Sequence, residues 1–175
     1  EGSFIGTNFL ENEDLSNTDI SDEKKWRKIM IEKYLLKHPD RSGGTARNAI
    51  GCLWTVSFGL QKGDIVLASN GEGFYRVGII DGGYYYNRER SLCHCRPVKW
   101  INKLIARKDM SQKLRNSSGS IATCCNVTKY SAEIENLISG SSTVNVINVP
   151  ASENEKYKER DLHRLLSNFL ISQRN

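Results

Sequence analysis

The stretch GDIVLASNGEGFYRVGIID, Gly63 to Asp81, decides the fold. Two apolar runs rich in β-branched residues flank a polar corner, Ser69-Asn70-Gly71-Glu72-Gly73. Runs of this kind joined by Asn-Gly predict a β-hairpin, with Gly63 to Ala68 and Phe74 to Ile80 as its strands. Gly82-Gly83 then turns the chain into Tyr84-Tyr85-Tyr86, and a loop holding Cys93-His94-Cys95 leads to a strand over Arg96 to Ile101. Asn102 to Asn116 reads as basic and polar with a short helical piece, and Ile121 to Val127 as a β-branched, Cys-rich strand.

Helices lie on both sides of this sheet. Ser21-Asp-Glu places a capping serine and acids at the positive end of a helix that carries Trp26, Ile29, Met30 and Tyr34 and ends at His38-Pro39. Thr45 is a second N-cap; Ala49, Cys52, Leu53 and Val56 follow at i, i+3, i+4, i+7 as one apolar stripe. Trp54 falls off that stripe and points roughly opposite to its centre. Thr128 to Ile138 is a short helix with Tyr130, Ile134, Leu137 and Ile138 on one side, and Lys158 to Gln173 a last one with a leucine stripe. The fold class that follows is α+β: a small twisted mixed sheet or partial barrel of five or six strands, flanked by helices. Ser139-Gly-Ser-Ser marks a domain end, giving a domain over 1–140 and a linker with a C-terminal helix over 141–175.

Composition narrows the function classes. With 175 residues, 38% hydrophobic and 26% charged, the chain suits one domain around its own core. No run approaches 18 apolar residues, and the first residues carry no signal-peptide pattern. Five cysteines, two of them adjacent at Cys124-Cys125, do not make a secreted disulfide framework, so a reducing cytoplasmic compartment is expected. Net charge is +5, with an acidic first 23 residues and cations collected between Arg88 and Arg115, which favours a polyanionic partner.

Catalytic chemistry is not legible. His38, His94 and His163 have no nucleophile-and-orienter arrangement, and Asp64, Glu72 and Lys62 match no metal-nuclease spacing. Cys93-His94-Cys95 and Cys124-Cys125 lack the two-residue knuckle of zinc sites, and no phosphate-binding glycine loop appears. No cofactor and no metal are therefore expected. The aromatics say more. Two aromatic faces about one base thickness apart can hold a flipped base, and an amide such as Asn48 offers a donor and an acceptor to its edge.

In that order, Ala46 to Thr55, Lys62 to Ala68, Phe74 to Ile80, Tyr84 to Asn87 and Cys95 to Ile101 resemble the EVE-like branch of the PUA/YTH/EVE superfamily. More narrowly they look like the modified-DNA-sensing domains of McrB- and Mrr-type restriction systems, over about Phe4 to Gly140. The resemblance implies an aromatic cage for a flipped, modified base, with Trp54 as one wall and one of Tyr84, Tyr85 and Tyr86 as the other. It implies polar pocket contacts from Asn48 and Thr55, and a pocket mouth at Ser69 and Asn70. Phosphate contacts are expected from Arg47, Arg88, Arg90, Lys113, Arg115 and Asn116. The expected partner is DNA carrying a modified base, with a nuclease or motor module alongside and no membrane. Lys156 to Leu166 looks like the opening of such a nuclease-like module. A YTH-like reader of modified RNA, a stand-alone enzyme and an oligomerising domain are the competing readings.

Overall fold

The computed structural model describes residues 3–119 and 123–140. Its elements run β1 (Phe4–Thr7), α1 (Glu23–Lys37), α2 (Gly43–Trp54), a π-helical turn (Thr55–Gly59), β2 (Ile65–Ser69), β3 (Phe74–Ile80), β4 (Tyr85–Tyr86), β5 (His94–Ala106), α3 (Gln112–Ser118) and α4 (Ser131–Ser139). This is the expected α+β class, a curled sheet forming a half-barrel with helices against it. Among the described residues every strand pairing is antiparallel, so the sheet there is not mixed. The order is β1-β5-β3-β2, with β4 also on β5.

The hairpin forms as read, with Ser69 opposite Tyr75 and Ile65 opposite Ile79. Its corner closes on itself: Asn70 Oδ1 accepts from the amides of Glu72 and Phe74, and Ser69 Oγ from the amide of Gly71. Gly71 and Gly73 both adopt positive φ, at 79° and 87°, which explains the two glycines. Both helix caps sit beside the residues predicted for them. Asp22, not Ser21, accepts from Lys25 N, and Ser42, not Thr45, caps α2. In each case the cap is the last extended residue before helical dihedrals begin.

Two predicted strands need correction. β5 is thirteen residues long, beginning at His94 inside the expected loop and continuing to Ala106. Thr123 to Val127 forms no strand; Ile121 and Ala122, like everything expected of 141–175, lie outside the described residues. β1 was not anticipated: four residues of mixed character carry no period, and pairing with β5 decides their conformation.

The sheet carries two cores, one at each end and on opposite faces. Along β3 the burial alternates but changes parity: Tyr75 and Val77 are buried at the corner end, Gly78 and Ile80 at the other. Side chains alternate across a strand, so odd residues face one way and even residues the other. On the odd face, Tyr75, Val77 and Ile105 join Met110, Leu114 and Ile134 under α3 and α4. The even residues of the other end, Ile80, His94, Arg96 and Val98, are buried instead, and Arg96 reaches across to the π-helical turn. A separate cluster of Trp26, Met30, Tyr34, Ala46, Ile50 and Leu53 locks α1 to α2. Burial of this kind contributes about 25 cal/mol per Å² of apolar surface.

Between the ends the pairing of β3 with β5 slips. Arg76 faces Leu104 and Gly78 faces Trp100, so β5 holds two extra residues there. Gly78 permits a close approach at that point, since a Cβ would lie 2.5 Å from Val98 Cγ1 and 2.8 Å from Trp100 Cε3. Among the described residues, no helix is long and apolar enough to cross a membrane.

Candidate functional site

The end of α2 is where the sequence concentrated its expectations. The helix does not stop at Trp54 but widens into the π-helical turn Thr55–Gly59, an element found often at functional sites. Arg96 holds that turn against the sheet with two carbonyl bonds and makes a third to the loop at Gly82. Arg96 Nε donates to Val56 O at 2.7 Å, Nη2 to Ser57 O at 2.8 Å and Nη1 to Gly82 O at 3.4 Å. A buried guanidinium is costly unless every donor is answered, and burial pushes the Arg96 pKa down. The carbonyls at a helix C-terminus answer it with their dipole as well as their lone pairs.

Trp54 is half-buried at this turn, as part of an aromatic cluster. Its ring centroid lies 5.1 Å from Trp26 and 5.0 Å from Phe58, both tilted, and the Arg27 guanidinium sits 5.2 Å from its centroid. Trp26 stands edge-on to Phe58 at 5.5 Å. The Trp26 Nε1 donor is buried and has no hydrogen-bond partner among the described residues. Asn48 is exposed on α2, six residues before Trp54, and Thr55 Oγ1 donates to Gly51 O at 3.0 Å.

The tyrosines are used differently from the expectation. Tyr84 O–H donates to His94 Nδ1 at 2.8 Å and accepts from Leu15 N at 3.4 Å, while His94 Nε2–H donates to Leu10 O at 3.3 Å. That chain is complete only with His94 neutral, and burial lowers its pKa accordingly. The same desolvation pushes the Tyr84 phenol up to about 12. Leu10, whose carbonyl takes the His94 bond, adopts a φ of 55°, the left-handed region that a leucine rarely enters. Tyr86 O–H donates to Glu11 O at 2.5 Å and its ring tilts against His94. Tyr85 projects from the other face of β4, opposite Cys95. Tyr84 and Tyr86 therefore tie the N-terminal segment to β5, and Trp54 takes its ring neighbours from α1 and the π-helical turn.

The hairpin corner is not brought to Trp54. Ser69 and Asn70 lie at the Ile105–Ala106 end of the sheet, where Gly73 O accepts from Arg107 N. The Arg96 contact to the π-helical turn is ten residues back along β5, roughly 30 Å of strand. The corner's side-chain bonds serve its own turn, which is why the sequence could not distinguish a pocket lip from a well-capped hairpin.

The expected phosphate contacts fall on three separate elements. Arg47 is exposed on α2; Arg88 is exposed after β4, where Arg90 covers the Phe4 ring at 4.4 Å. Lys113, Arg115 and Asn116 lie on α3, where Arg115 donates to Gln112 and Asn116 accepts from it. Two cations of the basic run are internal. Arg96 is described above, and Arg107 donates to Tyr75 Oη and Arg115 O at 3.0 and 2.9 Å.

Cys93, His94 and Cys95 do not converge. Strand alternation puts His94 on the opposite face from Cys93 and Cys95. A thiol pair that the sequence did not suggest does form, between Cys52 on α2 and Cys124. The neighbouring Cys52 thiol, with help from Thr55, draws the Cys124 pKa down to about 7 while its own rises.

Residues 2–128 match the family described as Domain of unknown function (DUF8426), and the chain belongs to that family. No curated protein and no solved structure matches the chain.

Proposed function

We propose that this member of the DUF8426 family is a nucleic-acid-binding specificity module that reads a modified base in DNA, acting beside a nuclease or motor module in the cytoplasm. The observation that carries the reading is the aromatic cluster at the end of α2. There a half-buried Trp54 packs with Trp26 and Phe58. Aromatic faces supply stacking and dispersion to a base and its methyl group. Asn48 and Thr55 flank the cluster and contribute the base-edge contacts; Arg47 on the same helix contributes a phosphate contact. Tyr84 and Tyr86 are engaged with the N-terminal segment, Trp26 and Phe58 back the Trp54 ring, and Ser69 and Asn70 are left out of the pocket. The net charge of +5 and the ordered resemblance to restriction-type sensing domains support DNA as the partner.

The test is a titration at fixed salt with one DNA duplex in four versions: unmodified, N6-methyladenine, 5-methylcytosine and 5-hydroxymethylcytosine. A matched RNA strand is the fifth arm. A preference for one version, lost in both Trp54→Ala and Asn48→Ala, is the expected outcome. Asn48 is exposed, so its loss separates recognition from folding. Equal binding to all versions would sink the reading, and a preference for modified RNA would move it to a YTH-like reader.

A further inference from the structure

The even face of the sheet, covered by the α2 turn at one end, is open at the other. Its residues there are Ala68 on β2, Phe74 and Arg76 on β3, and Asn102 and Leu104 on β5. Phe74 is 40% exposed and Leu104 is 55% exposed, though both belong to paired strands. Among the described residues no helix covers them, because α3 and α4 occupy the opposite face. The Arg76 guanidinium stacks 4.8 Å above the Trp100 ring, and the missing side chain at Gly78 is what lets that ring lie close to the sheet. A groove of about 360 Å³ follows the slipped pairing, lined by Arg76, Trp100, Ile101, Asn102, Lys103 and Leu104. None of these residues is acidic, and among the described residues Arg76 forms no ion pair.

We infer that this open face binds a single-stranded stretch of nucleic acid by stacking bases on Phe74 and on the outer side of the Arg76 guanidinium. Three features favour that occupant. The patch alternates flat or apolar groups with a cation, as an unpaired strand alternates base faces with phosphates. Asn102 stands beside the platform with a donor and an acceptor for a base edge. A guanidinium already stacked on an indole keeps its second face free for another π system, with little side-chain entropy left to lose. The inference rests on the preceding reading only for the class of partner; the surface lies on a different part of the sheet from Trp54.

The experiment uses the full chain and unmodified twelve-nucleotide oligothymidine and oligouridine strands, labelled with fluorescein, with heparin as a polyanion that has no bases. Phe74→Ala combined with Leu104→Ala should weaken oligothymidine binding at least fivefold and leave heparin binding unchanged. Arg76→Glu should weaken it at least tenfold, whereas Lys99→Glu, an equal charge change on the opposite face, should change it less than twofold. Which of the two strands binds more tightly separates DNA from RNA. Equal losses in Arg76→Glu and Lys99→Glu would reduce the patch to a diffuse charge effect and overturn the inference. Unchanged binding in the Phe74/Leu104 variant, or no binding of either strand by the parent protein, would overturn it as well. Unmodified strands are indifferent to the cage, so loss of modification preference in a Trp54 variant leaves this result standing, and the converse holds.

Discussion

The two ends of the sheet solve the same packing problem with opposite chemistry. At the corner end, β3 and β5 bury Tyr75, Val77 and Ile105 against Leu114 and Ile134, an ordinary apolar core. At the other end the buried residues of β5 include His94 and Arg96, both polar, both satisfied by backbone carbonyls and neighbouring hydroxyls. The first end tolerates approximation, because hydrophobic burial is non-directional. The second depends on hydrogen-bond geometry and on protonation state, so it is the more sharply specified and the more easily broken.

The largest effect expected from this contrast comes from truncating each core. Ile80→Ala and Leu114→Ala, both at fully buried positions, should each cost about 2–5 kcal/mol in chemical denaturation. Because β5 runs through both ends, a single transition should be seen by both tryptophan fluorescence and far-UV circular dichroism. Two separated transitions would show the ends to be independent. Gly78→Ala comes next. Its Cβ would meet Val98 and the Trp100 ring below 3.0 Å, so a loss of about 1–3 kcal/mol is expected, with a changed Trp100 emission. No change in either would remove the close approach as a constraint.

His94 gives a smaller, pH-dependent effect that should be confined to the polar end. Its folded pKa is lowered, so the unfolded chain takes up the proton first. Stability should be full above the unfolded value of about 6.5 and should fall as pH drops below it toward the folded value. Denaturation midpoints of the parent and of His94→Gln, measured from pH 7.5 to 5, should converge toward acid; parallel curves would show that His94 is not the group responsible. The smallest perturbation is chemical. With its pKa near 7, Cys124 should react with iodoacetamide before Cys52, Cys93 and Cys95, with a rate rising through pH 7. Peptide mapping that finds another cysteine labelled first would contradict the assignment.

Much of the hairpin was legible because its signals are local. Asn70-Gly71 sets the corner, and β3 ran from Phe74 to Ile80 as read. The α2 stripe was legible for the same reason: Ala49, Cys52, Leu53 and Val56 are all buried. β5 was only half legible. Its burial changes face along its length, so no single alternation marks it, and Asn102 and Lys103 look like loop residues although they are paired strand. The site was least legible. Trp54 stands out by its angle on the helix, yet its partners Trp26 and Phe58 come from other turns of chain, which no local spacing links to it. Arg96 and Arg107 read as members of a surface run, because nothing in a charge pattern reveals a carbonyl waiting inside the fold. Tyr84 to Tyr86 read as a wall, because a phenol that bonds a buried histidine looks the same in sequence as one that faces solvent.

The slipped pairing between Arg76 and Gly78 also bears on how this chain can change length. A strand that shifts by one residue exchanges its two faces, and β5 supplies a different face to each core. The loss or gain of a single residue on either side of the slip would turn one core inside out. The two extra residues already carried there are an even number, so the faces stay in phase across them. Length variation among relatives within β5 should therefore come in pairs and gather between Trp100 and Leu104, whereas the self-bonded corner Asn70–Gly73 is free to vary by ones.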